Sequence, residues 1–228
     1  MTLAVLLLAG SGFAGSDLFL DETFGLTEKI EVLAYKAEDQ SVKVRTAAGI
    51  SMRSFDAFPE VAQKEILAWV ADEIFESSSD LRVRIDEKSK ERDTENGEIE
   101  QVVYVVEMEN RGGVAVENVR VQAVVFYEMH RDEHEQKRRA ISSARINIPA
   151  GKKQIFTSSA VQIRDEIIKY EPRTNSNGNE VSRPSVYLED ELNGMVLVLT
   201  RVNRNGIAVI REMKDGRPPK PDDRSDYR

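Results

Sequence analysis

Between residues 81 and 213 apolar side chains recur at every second position, and this period of two constrains the fold more than any other feature. Leu81, Val83 and Ile85 alternate with arginines, and Val119, Val121, Ala123, Val125 and Tyr127 mark one side of another stretch. Only an extended chain sends alternate side chains to opposite faces, so each stretch predicts a strand with one buried face. Residues 102–108 read as a dense apolar strand, and 146–148, 155–163, 195–202 and 207–213 as further strands. Turn formers punctuate them: Asn110-Arg111-Gly112-Gly113, Pro149-Ala150-Gly151, and Asn205-Gly206, a pair suited to a type I′ hairpin.

Upstream, a smaller β pattern precedes a helix. Ile30, Val32 and Ala34 alternate, Gln40-Ser41 turns, Val42 and Val44 alternate, Ala48-Gly49 turns, and Ile50 and Met52 alternate again. Three such strands form a meander too small to close a core alone. Pro59 and Glu60 suit a first helical turn, and Ala62, Ile66, Trp69, Val70 and Ile74 follow at helical spacing. The helix is expected to lie over the meander with Trp69, the single tryptophan, as a plug in its core.

Across about 50 residues, an amount of chain that one small β module takes, these positions resemble a known module. Asp39, Val42, Val44, Gly49, Phe58 and Gln63 match the SH3-like barrel of the SLA-one homology type, a module of exported bacterial proteins. Phe24-Gly25-Leu26-Thr27 stands where that module opens with an aromatic-Trp-Thr stretch. The resemblance implies a barrel that in eukaryotic relatives binds short peptides, a role that does not transfer without the groove residues. Ser77-Ser78-Ser79-Asp80 then breaks the chain. Beyond it, roughly seven strands without helical periodicity predict a two-sheet sandwich. By architecture it resembles the immunoglobulin-like or fibronectin-like class, without a B–F disulfide. The expected organisation is a signal peptide at 1–14, an SH3-like module with a C-terminal helix at 22–79, an immunoglobulin-like β-sandwich at 80–213, and a disordered tail at 214–228. The fold class is therefore mostly β: a small SH3-like barrel capped by one helix, then an immunoglobulin-like sandwich.

The leader reading rests on residues 3–9, LAVLLLA, an apolar run too short to span a bilayer, followed by Gly12 and Ala14 at positions −3 and −1 of a cleavage site. Its n-region carries no Lys or Arg, and the alternative is a buried first strand. Ser11 stands where a lipoprotein needs cysteine. The mature chain is expected to be exported, periplasmic or at the cell surface, with no membrane span. The chain has no cysteine, which removes disulfides, thiolate metal sites and cysteine nucleophiles. A net charge of -8 repels a phosphate backbone, and the basic run Lys137-Arg138-Arg139 has Glu133 and Glu135 beside it. No nucleic-acid partner is expected.

The sharpest candidate for chemistry is His130-Arg131-Asp132-Glu133-His134, which fits H-x-x-E-H. A metal-dependent hydrolase would use His130, Glu133 and His134, and this requires a helix to bring positions i and i+4 together. The stretch follows a strand and runs into polar residues, so an exposed hairpin loop is expected instead. No G-x-S-x-G, P-loop or G-x-G-x-x-G occurs. The acidic stretch 86–100 places Gly97 where a calcium loop needs a ligand, and reads as a solvated loop. Residues 171–185, EPRTNSNGNEVSRPS, read as a long surface loop in which Arg173, Asn175, Asn177, Asn179 and Arg183 form the candidate partner-binding set. The chain is expected to be a non-enzymatic binding or structural protein of the cell envelope, with an accessory role in a surface appendage or secretion assembly among those open to it. A protein partner is expected, with no cofactor, no metal and no catalytic residues, and self-association stays open.

Overall fold

The protein is mostly β, and the computed structural model describes residues 17–131 and 134–228. The expected leader at 1–14 lies outside the described residues. The chain divides into two compact units, residues 1–73 and 74–228. The division falls inside the helix, whereas the serine run had placed it near residue 79.

In the first unit strands β1 (Leu18–Leu20), β2 (Ile30–Lys36), β3 (Ser41–Thr46) and β4 (Gly49–Ser54) form one antiparallel sheet in that order. The helix α1 (Glu60–Glu76) follows. Ile30, Val32, Val42 and Val44 are buried, as their alternation requires, with Phe58, Ala62 and Ile66 against them. Strand β4 departs from the expectation. Register places Ser51 opposite Val44 and Arg53 opposite Val42. Its buried-face positions are thus polar, and Ile50 and Met52 are exposed. A period of two leaves either face open to burial, and register with the neighbour decides. Leu18 and Leu20 of β1 supply the missing apolar surface. Trp69 packs against this core half-buried, with its indole Nε1 enclosed and unpaired.

The second unit contains two antiparallel sheets. One joins β5 (Leu81–Thr94), β6 (Gly97–Asn110), β10 (Val161–Thr174) and β11 (Glu180–Glu189) in the order β11-β10-β6-β5, with β9 (Lys153–Thr157) also on β6. The other runs β13-β12-β7-β8, from β13 (Ala208–Gly216), β12 (Glu191–Val202), β7 (Val116–Arg131) and β8 (His134–Ile148). Val102, Tyr104, Val106 and Met108 of β6 are buried, as are Val121, Ala123, Val125, Leu197 and Leu199 of the other sheet.

Several stretches read as connections are strands. The acidic stretch is a hairpin, with Glu91 opposite Glu100 and Thr94 opposite Gly97. The polar run after His134 belongs to β8, and 155–163 is two strands, β9 and β10. Backbone pairing supplies what side-chain alternation does not, because any non-proline residue carries one donor and one acceptor. The turn at Asn205-Gly206 also differs from type I′. Asn203 N–H donates to the Ile207 carbonyl at 2.8 Å, and Gly206 alone of its loop takes positive φ, at 76°. This is the three-residue loop with glycine in the left-handed position.

Replacing Trp69 with Ala should destabilise the first unit by about 3 kcal/mol, the cost of emptying an aromatic site. Trp69→Phe should cost less, because it removes the unpaired N–H along with the lost area. Urea denaturation followed by circular dichroism separates the two; a loss in Trp69→Phe as large as in Trp69→Ala would show that the indole N–H is paired and contributes to the fold.

Candidate functional site

Strand β10 is longer than the sheet that holds it. It pairs with β6 from Val161 opposite Val102 to Glu166 opposite Gly97, where β6 begins. Beyond that it pairs with β11 alone, out to Thr174 opposite Glu180. Irregular register at Ile167, Lys169 and Tyr170 marks the base of this extension. Bulges there bend a strand and change its twist. The result is a two-stranded ribbon in which residues 169–174 are exposed, Tyr170 at 47% among them.

The expected long loop at 171–185 is therefore corrected to a hairpin tip. Arg173 lies in β10 opposite Val181, and Arg183 lies in β11 opposite Glu171. The ribbon brings the two arginine positions onto neighbouring strands, two residue pairs apart. The asparagines have a structural duty. Asn175 Oδ1 accepts from the N–H groups of Asn177 at 2.9 Å and Asn179 at 3.0 Å. Asn175 N–H donates to the Asn179 carbonyl at 2.8 Å, and Gly178 sits at φ 79°. The same construction recurs at Asn203, whose Oδ1 accepts from Asn205 at 3.0 Å and Ile207 at 2.9 Å. Both tips read N-x-N-G, and both use the first asparagine to bind the backbone ahead of it. Asn175 is thus committed to the turn, while Asn177 and Asn179 contribute backbone N–H groups to it.

The H-x-x-E-H stretch is not helical. His130 pairs with Glu135 and Arg131 with His134 across the β7–β8 hairpin. Asp132 and Glu133 lie outside the described residues. The histidines thus stand on two strands rather than one turn apart on a helix, the spacing that zinc chemistry needs. The His130 N–H donates to Asp190 Oδ1 at 3.0 Å. Among the described residues no three His, Asp or Glu side chains are grouped to hold a metal ion. The acidic hairpin instead crowds like charges. Asp93, Glu98 and Asp165 fall in one row across β5, β6 and β10. Glu91, foremost among its neighbours, holds the Glu98 carboxyl above its ordinary range.

A second site was missed from sequence altogether. The tail expected to be disordered continues β13 to Gly216 and then forms a 3-10 helix at Pro221–Asp226. Tyr227 is only 5% exposed. Its ring meets Phe126 edge-on at 5.2 Å and Val196 packs beside it. Its hydroxyl donates to Glu128 Oε1 at 2.7 Å, and Asn193 Nδ2 donates to the same oxygen at 2.9 Å. Asn193 lies at the register shift between Leu192 and Gly194, where β12 has one residue too many for β7. Arg228 then pairs with β8, donating to the Lys137 carbonyl at 3.2 Å and accepting from Arg139 N–H at 2.9 Å. The sequence did carry a signal. Residues 123–127 (AVVFY) and 195–199 (MVLVL) are apolar on both faces, which a strand needs only when both are covered.

No protein-family model matches the sequence, and no curated protein matches it. Similarity to solved structures is slight. A structural-genomics target is 10% identical with a TM-score of 0.29, over 62% of this chain and 89% of that one. The sporulation control protein of Bacillus subtilis is 16% identical with a TM-score of 0.21, over 61% of this chain and 50% of that one. A β-glucosidase from Listeria innocua is 12% identical with a TM-score of 0.21, over 59% of this chain and 16% of that one. At such scores none of them bears on function.

Burial, and then the hydrogen bond to Glu128, push the Tyr227 phenol up to about 12. A free tyrosine titrates near 10. The folded value is the higher, so the tail's contribution is complete below about pH 10 and is lost as the pH rises toward 12. Burial pushes the Glu128 carboxyl up, but hydrogen bonds from Tyr227 and Asn193 outweigh it and hold the group below its usual range. That contribution holds above the ordinary carboxylate range and fades as pH falls through the lowered value. An alkaline absorbance titration should therefore lose one late-titrating phenol in Tyr227→Phe; loss of a phenol that titrates near 10 would place Tyr227 in solvent.

Proposed function

We propose that this chain is a non-enzymatic, exported binding or structural protein of the cell envelope, and that the β10–β11 ribbon is its docking site. The observation that carries the reading is the ribbon itself. Folding does not require it: residues 169–174 bury little, and an isolated hairpin is marginal in water. A strand pair projecting past its sheet offers open edges, and edge strands recruit extended partners through main-chain hydrogen bonds. Arg173 and Arg183 would add charge selectivity for an acidic segment within an acidic protein.

The finer fold reading supports a binding role. In the first unit the order strand, turn, strand, glycine turn, strand, helix accords with the SH3-like module. In the second, two antiparallel sheets joined by hairpins accord with an immunoglobulin-like sandwich. Neither assignment names a ligand, since such folds host many functions. The apolar run at 3–9 supports export.

Two measurements test this proposal. Pulldown from envelope extract with the wild type and with Arg173→Glu/Arg183→Glu should give a protein partner that the double variant loses, while its thermal melt stays in place. Retention of the partner would remove the ribbon as docking site. Intact mass of protein from the native envelope should correspond to a start near Gly15, and a chain recovered with Met1 from cytosol would overturn export.

A further inference from the structure

The outer face of the β13-β12-β7-β8 sheet carries an apolar row that a solvated face does not need. Register aligns Lys214, Val196, Val124 and Ile141 across the four strands, with Gly194 and Phe126 in the next row and Val198 in the one before. Phe126 and Val196 are buried beneath Tyr227, with Val124 and Val198 packed against them. Ile141, at the β8 end of the row, remains 49% exposed.

The cover is thin. Of residues 217–228 only Tyr227 is buried; Pro218, Pro219 and Arg224 are half-buried, and Arg224 donates to Glu212 Oε1 at 2.9 Å. The segment leaves β13 at Gly216, which takes φ 68°, and Arg217 N–H donates to the Asn193 carbonyl at 2.9 Å. Beneath its far end lies an open crevice of about 510 Å³, lined by Glu135 to Arg138 with Asp226 and Arg228. A segment held by one buried side chain, three half-buried ones and few backbone bonds to the sheet opens at lower cost than the strands under it. Opening exposes a continuous apolar stripe flanked by charged side chains, the kind of surface that marks an interaction site.

We infer that residues 217–228 are a displaceable strap over a second binding face, and that this face takes an extended segment bearing a tyrosine from another protein. The strap displays the chemistry required. The face accepts an aromatic ring edge-on to Phe126, a phenol donor to Glu128, and main-chain pairing with β8 at Lys137 and Arg139. The tether makes the chain's own strap a competitor at high effective concentration. A second copy brings an identical strap without that advantage, so the occupant that displaces it is a partner segment of better fit.

The test uses a labelled peptide of residues 217–228. The full chain carrying Tyr227→Ala should bind it at least tenfold more tightly than the wild type, and a peptide with Ala in place of tyrosine should bind neither. Equal binding to both chains, or none to the opened chain, overturns the inference. If Tyr227→Ala does not fold, hydrogen exchange on the wild type decides. The Arg139 and Arg228 amides should exchange at least tenfold faster than those of central β12, and equal protection overturns a displaceable strap. Wild-type dimers that form with concentration and vanish in Tyr227→Ala would assign the face to a second copy instead, and overturn the partner reading.

Discussion

The first sheet of the second unit depends on a single strand, β6, and on how one of its edges is divided. Strand β5 pairs along the whole of β6 on one side. On the other, β9 takes residues 105–109 and β10 takes 97–102. Tyr104 stands at the changeover, where neither strand serves it, and Ser158 closes the gap. Tyr104 N–H donates to the Ser158 hydroxyl at 2.9 Å, and Ser158 N–H donates to the Tyr104 carbonyl at 2.9 Å. The Tyr104 phenol, fully buried by residue, donates to Glu87 at 2.9 Å, and burial first, then that bond, pushes it above its ordinary titration range. An unserved backbone pair in this position would cost what any buried orphan costs, about 1–3 kcal/mol each. At the other end β6 begins at Gly97, so β10 is free of it beyond Glu166, and this allows the ribbon to exist.

Two buried polar side chains tie backbone segments across the same unit. Asn110 Nδ2 donates to the carbonyls of Val114 at 2.8 Å and Ile148 at 2.9 Å, while its Oδ1 accepts from Gly112 at 2.9 Å. Asp190, between β11 and β12, accepts from the N–H of His130 at 3.0 Å and of Arg164 at 3.3 Å. These are backbone–side-chain joints, which a substitution to an apolar residue would leave half made.

The elements legible in the sequence are those whose own side chains alternate or run densely apolar: β2, β3, the first half of β5, the apolar half of β6, β7, β12 and β13. What stayed hidden owes its form to a neighbour. The stretch Lys88 to Thr94 has no apolar residue, yet it is strand because β6 offers it an unbroken ladder. Residues 180–189 are strand because β10 precedes them across a tight turn, and the asparagines that build this tip were read as recognition chemistry, whereas Asn205-Gly206 at the other tip was read as a turn. The tail was the largest miss. Its composition is that of a disordered segment, and a single tyrosine outweighs it because Phe126, Glu128 and Asn193 already converge from two strands. A pairwise reading of the two doubly apolar runs would have indicated that something covers them, though not which segment.

The strap has a further consequence for the molecule on its own. Strand β8 is the last in its sheet, and edge strands with free hydrogen-bonding groups template the addition of foreign strands. With Tyr227 seated, part of that edge is already paired, and Phe126 and Val196 of the adjoining apolar row are out of water. One aromatic ring thereby keeps an adhesive surface quiet until a competitor arrives, so colloidal behaviour and binding competence are set by the same residue.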